Sequence, residues 1–258
     1  MQPQRNDAPS PPVALVTGGA IRVGAAIVRA LADAGYRVWI HYNRSESPAQ
    51  TLAEALGPAI AGIFSADLSR PDDRRALVQT IVDPAGPAAG RLDLLVNSAA
   101  GFEHGAFLAR SDEDLLRVLT LNLIAPLSLA RGLAPALATG EGSVVNILDL
   151  AATQPWRGYV DHCTAKAGLA MATRALAGEL APAIRVNGIS PGTVLWPEEE
   201  RFSSEEARAR IVAGIPLRRV GTAEDVARAV VYLAREPFIT GHTIVVDGGR
   251  SVSRGAGP

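Results

Sequence analysis

Of the 25 lysine and arginine residues in this 258-residue chain, Lys166 is the only lysine, and His162 stands four positions before it. Arginine keeps its proton in proteins, whereas a lysine ammonium is a compact charge whose proton affinity follows its surroundings. Where arginine serves every other positive charge, a lone lysine suggests chemistry that needs an ammonium. The plainer alternative is one lysine surviving in an arginine-biased composition, and the neighbouring motifs weigh against it. A spacing of four puts His162 and Lys166 on one face of a helix. Histidine exchanges protons near neutral pH, and an adjacent ammonium disfavours its protonated form.

A second group of residues suits a dinucleotide. Thr17-Gly18-Gly19-Ala20-Ile21-Arg22-Val23-Gly24 follows an apolar run and opens a helical one. Glycines at such a turn let backbone approach a pyrophosphate, which then sits on the N-terminal amides of the helix. Gly18, Arg22, Val23 and Gly24 are therefore candidate cofactor residues. The end of the next strand should lie by the adenosine ribose, where an acid usually selects NAD. Here the segment reads His41-Tyr42-Asn43-Arg44-Ser45, with no carboxylate before Glu46. Arg44 can grip a 2′-phosphate bidentately and Ser45 can add a hydrogen bond, which favours NADP(H).

These residues need a scaffold. Apolar strand-like runs occur at Val13–Thr17, Arg37–His41, Ile60–Phe64, Leu92–Val96, Ser143–Leu148, Ile184–Ile189 and Thr243–Val246. Helical spacing marks Val23–Ala34, Pro71–Val82, Asp112–Ala138, Ala165–Leu180 and Ala223–Ala234. Strands apolar almost throughout, alternating with helices, indicate an α/β fold: a single-domain, Rossmann-like, doubly wound parallel sheet of about seven strands. Such sheets bind ligands beyond the carboxyl ends of their strands. Pro191–Glu206, with proline, glycine and three consecutive glutamates, is the candidate substrate loop.

Hydrophobic residues make up 48% and charged residues 20%, and the net charge is -1, which gives no basic field for nucleic acid. One cysteine, Cys163, excludes an internal disulfide and a thiolate metal cluster. No apolar run reaches the ~18 residues of a bilayer span, so no membrane partner is expected. Residues 1–12 are polar and proline-rich, and read as a disordered tail rather than a signal peptide. The cytoplasm is the default location.

From about Val13 to Ser251 the chain resembles the short-chain dehydrogenase/reductase family. Asp67-Leu68 resembles the adenine-contacting pair after the third strand. Asn97-Ser98-Ala99-Ala100-Gly101 resembles the Asn-Asn-Ala-Gly turn after the fourth, with Ser98 in place of the second asparagine. Asn122 matches the family's helix asparagine, and Pro191-Gly192 its nicotinamide-side turn. Pro216-Leu217-Arg218-Arg219, Thr240-Gly241 and Val246-Asp247-Gly248-Gly249 resemble its C-terminal pattern. The family has Tyr-x-x-x-Lys, with serine or aspartate thirteen residues before the tyrosine. Lys166 fits the lysine and Asp149 lies thirteen residues before His162, so His162 replaces the tyrosine in register. The resemblance implies that Lys166 binds the nicotinamide ribose, and that Asp149, His162, Lys166 and Asn122 handle the proton. It also implies a homotetramer, with the Asp112–Ala138 and Ala165–Leu180 helices between subunits.

A narrower set resembles pteridine reductases: Arg22 in place of the middle glycine, the His41–Ser45 run, Phe102, Asp149 in place of serine, and Val194-Leu195-Trp196-Pro197-Glu198. An aromatic face, a guanidinium and a carboxylate suit a flat, amide-rich heterocycle. Arg22, Phe102, Asp149, His162, Leu195 and Trp196 would then bind a pterin-like substrate. If Asp149 outweighs Lys166, His162 is a competent general acid, although imidazole is shorter than phenol and calls for a bridging water. Tyr159, seven residues before Lys166, is a weaker stand-in placed in the loop before the helix. Singly, Phe102 also suits loop packing, Trp196 an apolar cap and Asp149 a turn cap, and Ala100 departs from the subfamily's serine. The expected function is an NADPH-dependent pterin or dihydrofolate-like reductase. The alternatives are a non-catalytic NADP-binding sensor or partner protein, and a carbonyl reductase of another substrate.

Overall fold

The computed structural model describes residues 10–196 and 204–252. Residues 1–9 of the expected tail and 197–203 of the expected substrate loop, including Pro197 and Glu198, lie outside the described residues. The strands are β1 (Val13–Val16), β2 (Arg37–Tyr42), β3 (Ile60–Ser65), β4 (Leu94–Asn97), β5 (Ser143–Ile147), β6 (Arg185–Pro191) and β7 (Thr243–Val246). They form one seven-stranded sheet in the order β3-β2-β1-β4-β5-β6-β7, every pair parallel.

Both faces of the sheet are buried, which is why the strands read as unbroken apolar runs. Ala14 and Val16 join Val38, Ile40, Leu94 and Val96 in a core beneath α1 (Arg22–Asp33) and α8 (Ala223–Arg235). Val13 and Leu15 point the other way, joining Trp39, Leu95 and Val144 in a core with α3 (Pro71–Val82) and later helices. The strand order reverses between β1 and β4, which opens the ligand crevice at their carboxyl ends. Thr17 fixes that crevice: its hydroxyl accepts the amides of Ser98 and Ala99, each at 3.0 Å.

The remaining helices are α2 (Glu46–Leu56), α4 (Asp112–Leu119), α5 (Ala125–Ala138), α6 (Val160–Glu179) and α7 (Glu205–Ala213). The single helix expected over Asp112–Ala138 is interrupted by a wider turn at Thr120–Ile124. Pro126 has no N–H for the α-type bond to the Asn122 carbonyl. The Ala125 amide instead reaches back five residues to Thr120. This turn buries Asn122. By length and composition the Asp112–Ala138 run is apolar enough to cross a membrane, an 18-residue window in it having mean hydropathy 1.3. In the fold Leu129, Leu133 and Leu137 are spent on the core, where all three are fully buried. Helix α6 begins five residues before the expected Ala165, with Tyr159 as its N-cap. His162 therefore lies in its first turn, one turn before Lys166.

Candidate active site

The crevice between β1 and β4 holds a cleft of about 500 Å³ lined by Gly18, Arg22, Val23, Gly24, His41, Arg44, Ser45 and Leu68. All eight belong to the residues expected to hold a cofactor. Gly18 has φ +63°, and a Cβ there would stand 3.0 Å from the Ala99 Cα. A Cβ at Gly24 would stand 2.0 Å from the Gly18 carbonyl oxygen. Close backbone packing thus requires both glycines. Arg22 occupies the left-handed region, with φ +53°, where glycine is the comfortable residue. The α1 N-cap, Ile21, offers no side-chain cap, so the first amides of the helix can receive an anion. The glycine cradle, uncapped helix and two arginines fit a dinucleotide diphosphate.

His41 lies beneath this turn. Its Nδ1 accepts the Gly18 amide at 3.1 Å and its Nε2 faces the Ala66 carbonyl at 3.1 Å. A carbonyl can only accept, so Nε2 carries the proton and the ring is neutral. Burial holds its pKa down to about 4, against opposing effects of the Ala66 carbonyl and Asp67.

At the other end of the crevice, α6 and the loop after β5 bring His162, Lys166 and Asp149 together. His162 Nδ1 is 3.2 Å from the Gly101 carbonyl, and Nε2 is 2.5 Å from Asp149 Oδ2. Gly101 O also accepts Asn122 Nδ2 at 3.1 Å. Because that carbonyl only accepts, Nδ1 must donate to it. Nε2 and Oδ2 approach this closely only with a proton between them. The Asp149–His162 pair therefore holds a second proton, as imidazolium with carboxylate or imidazole with carboxylic acid. Lys166 Nζ donates to the Ile147 carbonyl at 2.8 Å. Burial pushes its ammonium below the usual lysine range, while the Asp149 carboxylate pulls it back up.

Beside the pair is a cavity of about 350 Å³ lined by Phe102, Asp149, Leu150, Trp156, Tyr159, Gly192, Thr193, Leu195, Ile211 and Arg250. Asp149 opens onto it with 20% of its side chain exposed, whereas His162 is 2% exposed and lies behind. Phe102 stacks on Tyr159 at 4.4 Å between ring centroids and meets His162 edge-on at 5.0 Å. Asp149 also caps the turn after β5, accepting the Ala151 amide at 2.8 Å. The turn-cap alternative and the site role are thus met by different oxygens of one carboxylate.

Several expected residues stand elsewhere. Trp196 is outside the cavity lining, with the Arg208 guanidinium 5.2 Å over its ring. Asn97 is buried and donates to Asn146, which in turn donates to Thr173. Asp67 uses Oδ1 on the Ser69 amide and hydroxyl, so Leu68 alone of that pair lines the cleft. Asn122 is a buried brace, donating to Gly101 and Val118. Pro191 ends β6, and Gly192 packs so closely on Asp247 that a Cβ would stand 2.7 Å from its Cβ. Thr17, Trp156 and Arg250 were not anticipated. The first sits inside the glycine turn and was legible there, but the other two are far apart in sequence and meet only in the fold. Among the described residues no cluster of metal-ligating side chains occurs.

A family model described as enoyl-(acyl carrier protein) reductase matches residues 19–251. Pteridine reductase 1 of Leishmania tarentolae is 36% identical, over 95% of this chain and 98% of its own length. A Streptomyces violaceoruber protein, named provisionally as ketoacyl reductase 2 of the granaticin polyketide synthase, is 37% identical over 94% of this chain and 97% of its own. Carbonyl reductase family member 4 of Danio rerio is 34% identical over 92% and 96%.

Proposed function

Because the chain belongs to the short-chain dehydrogenase/reductase family, we propose that it is an NADPH-dependent reductase of a pterin or dihydrofolate-like heterocycle, in which Asp149 presents the proton to the substrate. The observation that carries this reading is the proton-bearing Asp149–His162 pair on the wall of an aromatic cavity. The family's nicotinamide cofactor supplies the hydride. This chain's residues do the rest. Arg22 and the α1 amides receive the diphosphate, and Arg44 with Ser45 receives a 2′-phosphate. Lys166, one turn from His162, holds the nicotinamide ribose through donors that Ile147 leaves unused.

Phe102 offers a ring face to a flat substrate, and Trp156, Tyr159 and Leu150 exclude water. As negative charge develops on the substrate nitrogen or oxygen, Asp149 Oδ2 releases the shared proton to it. His162, anchored to Gly101, keeps that proton on the pair between turnovers and orients the carboxyl. It acts through Asp149, so the short reach of imidazole is no obstacle. A carbonyl reductase is the second reading, favoured by the ketoacyl and carbonyl reductase relatives and by Ala100 in place of the pteridine reductase serine.

The test is oxidation of NADPH and NADH with a panel of dihydropterins, dihydrofolate and simple ketones. Turnover of dihydropterins or dihydrofolate with NADPH is expected. Activity with ketones alone sinks the pterin reading. Tight NADPH binding without turnover until His162→Tyr is made identifies a non-catalytic binder.

A further inference from the structure

Among the described residues, Arg250 is the one cation on the wall of the 350 Å³ cavity, which it shares with Phe102, Trp156 and Asp149. Its position is built with care. Asp247 accepts the amides of Gly249 and Ser251 on its two oxygens, at 2.8 and 2.6 Å. Gly248 and Gly249 have φ +66° and +87°, and a Cβ on either would press on Ile215 or Pro216. Gln154 donates to the Ser251 carbonyl. These bonds fix the turn after β7 and aim Arg250 inward, where Nη1 donates to the Thr193 hydroxyl.

A guanidinium has five N–H donors, and no other side-chain bond is made by Arg250 among the described residues. Nor does any described carboxylate form an ion pair with it. Asp247 is consumed by backbone amides, and Asp149 by Ala151 and His162. A half-buried cation beside aromatic rings, with no ion-pair partner among the described residues, favours an anion joining it.

We infer that Arg250 is a specificity-determining residue that makes this the site of a substrate carrying a carboxylate, paired with the guanidinium while the reducible C=N or C=O meets Asp149. The inference rests on the cavity being the substrate site of the proposed reductase. One guanidinium and one hydroxyl match a monoanionic carboxylate better than a phosphate dianion, which asks for more donors. The cavity volume, at the low end for ligand sites, suits the one- or two-ring head of a substrate.

The experiment uses two matched pairs of probes on the NADP-loaded protein: pterin-6-carboxylate with 6-methylpterin, and 4-acetylbenzoate with its methyl ester. Binding is read by quenching of tryptophan fluorescence, to which Trp156 on the cavity wall contributes, so it does not depend on turnover. The carboxylate member of at least one pair should bind roughly tenfold or more tightly than its neutral partner. Arg250→Gln should abolish that preference while leaving the neutral affinity within about twofold, and Arg250→Lys should restore part of it. Equal binding within both pairs, no binding of either carboxylate, or equal weakening of both members by Arg250→Gln at unchanged melting temperature overturns the inference. If Arg250 discriminates the benzoate pair and neither pterin binds, the inference stands and the pterin reading fails.

Discussion

In the proposed mechanism Asp149 and His162 exchange the roles that their positions in the chain suggest. The spacing places His162 where the family has its tyrosine, and reading along the sequence makes it the donor. The fold turns Nε2 onto Asp149 and leaves only the carboxylate facing the cavity. Asp149→Asn cannot carry an acidic proton, so kcat/KM should fall by roughly 10²–10⁴-fold, the usual worth of a general acid. His162→Gln can donate its amide N–H to Gly101 while its carbonyl oxygen faces Asp149, and it cannot store the second proton. It should cost less than Asp149→Asn in kcat/KM, measured by steady-state NADPH oxidation. A larger loss from His162→Gln than from Asp149→Asn would restore His162 as the direct donor. At the cofactor end, Arg44→Ala should raise the NADPH dissociation constant by about 10-fold or more and leave NADH within about twofold. Equal losses for both, by fluorescence titration, refute the 2′-phosphate assignment. The presence of the His–Lys pair and of the arginine was legible in the sequence because it depends on spacing along one helix or one strand. Which atom faces the cavity was not, since that depends on the Gly101 carbonyl arriving from another element.

The turn between β1 and α1 is held from below by β2, through a histidine that reads in sequence only as part of a cofactor segment. His41 has a folded pKa of about 4, set chiefly by burial, below the ordinary imidazole value of 6.5. Between these values the unfolded chain binds the additional proton, so stability is full above about pH 6.5 and is lost as pH falls towards 4. The loss at the acid end is on the order of 3 kcal/mol. Protonation also removes the Nδ1 lone pair that receives the Gly18 amide, which couples the same pH range to cofactor affinity. Urea unfolding at pH 7.5 and pH 4.5 should show a smaller pH dependence in His41→Gln than in the wild type. The same slope in both would remove His41 from this role. Gly24→Ala drives a methyl into the Gly18 carbonyl and should abolish NADPH binding or folding, whereas a tolerated alanine would mean that α1 can move away. Strand positions were readable because burial on both faces leaves unbroken apolar runs. The break at Thr120–Ile124 was not, because helical periodicity continues through it and only the missing amide of Pro126 marks the change.

On the scale of the whole molecule, the Asp112–Ala138 and Val160–Glu179 helices raise the question of what their second faces meet. Composition could not divide their apolar residues between sheet and surface. The fold does: Val118, Leu129, Leu133 and Leu169 are buried, while Leu116 is 61% and Met171 60% exposed, with Ile124 and Val160 also outward. These large apolar side chains, exposed on adjacent long helices, suit burial against another copy of the chain. We propose that the protein is a homotetramer with these helices at a subunit interface, as the family resemblance implies. Neither residue touches the cofactor cleft or the substrate cavity. Leu116→Glu with Met171→Glu would bury like charges across an isologous contact, which costs several kcal/mol. Sedimentation at micromolar concentration should give four times the 26.9 kDa chain mass for the wild type and a smaller species for the double variant, with its far-ultraviolet dichroism retained. A wild type that sediments as a monomer, or a double variant that stays tetrameric, would place the interface elsewhere or remove it.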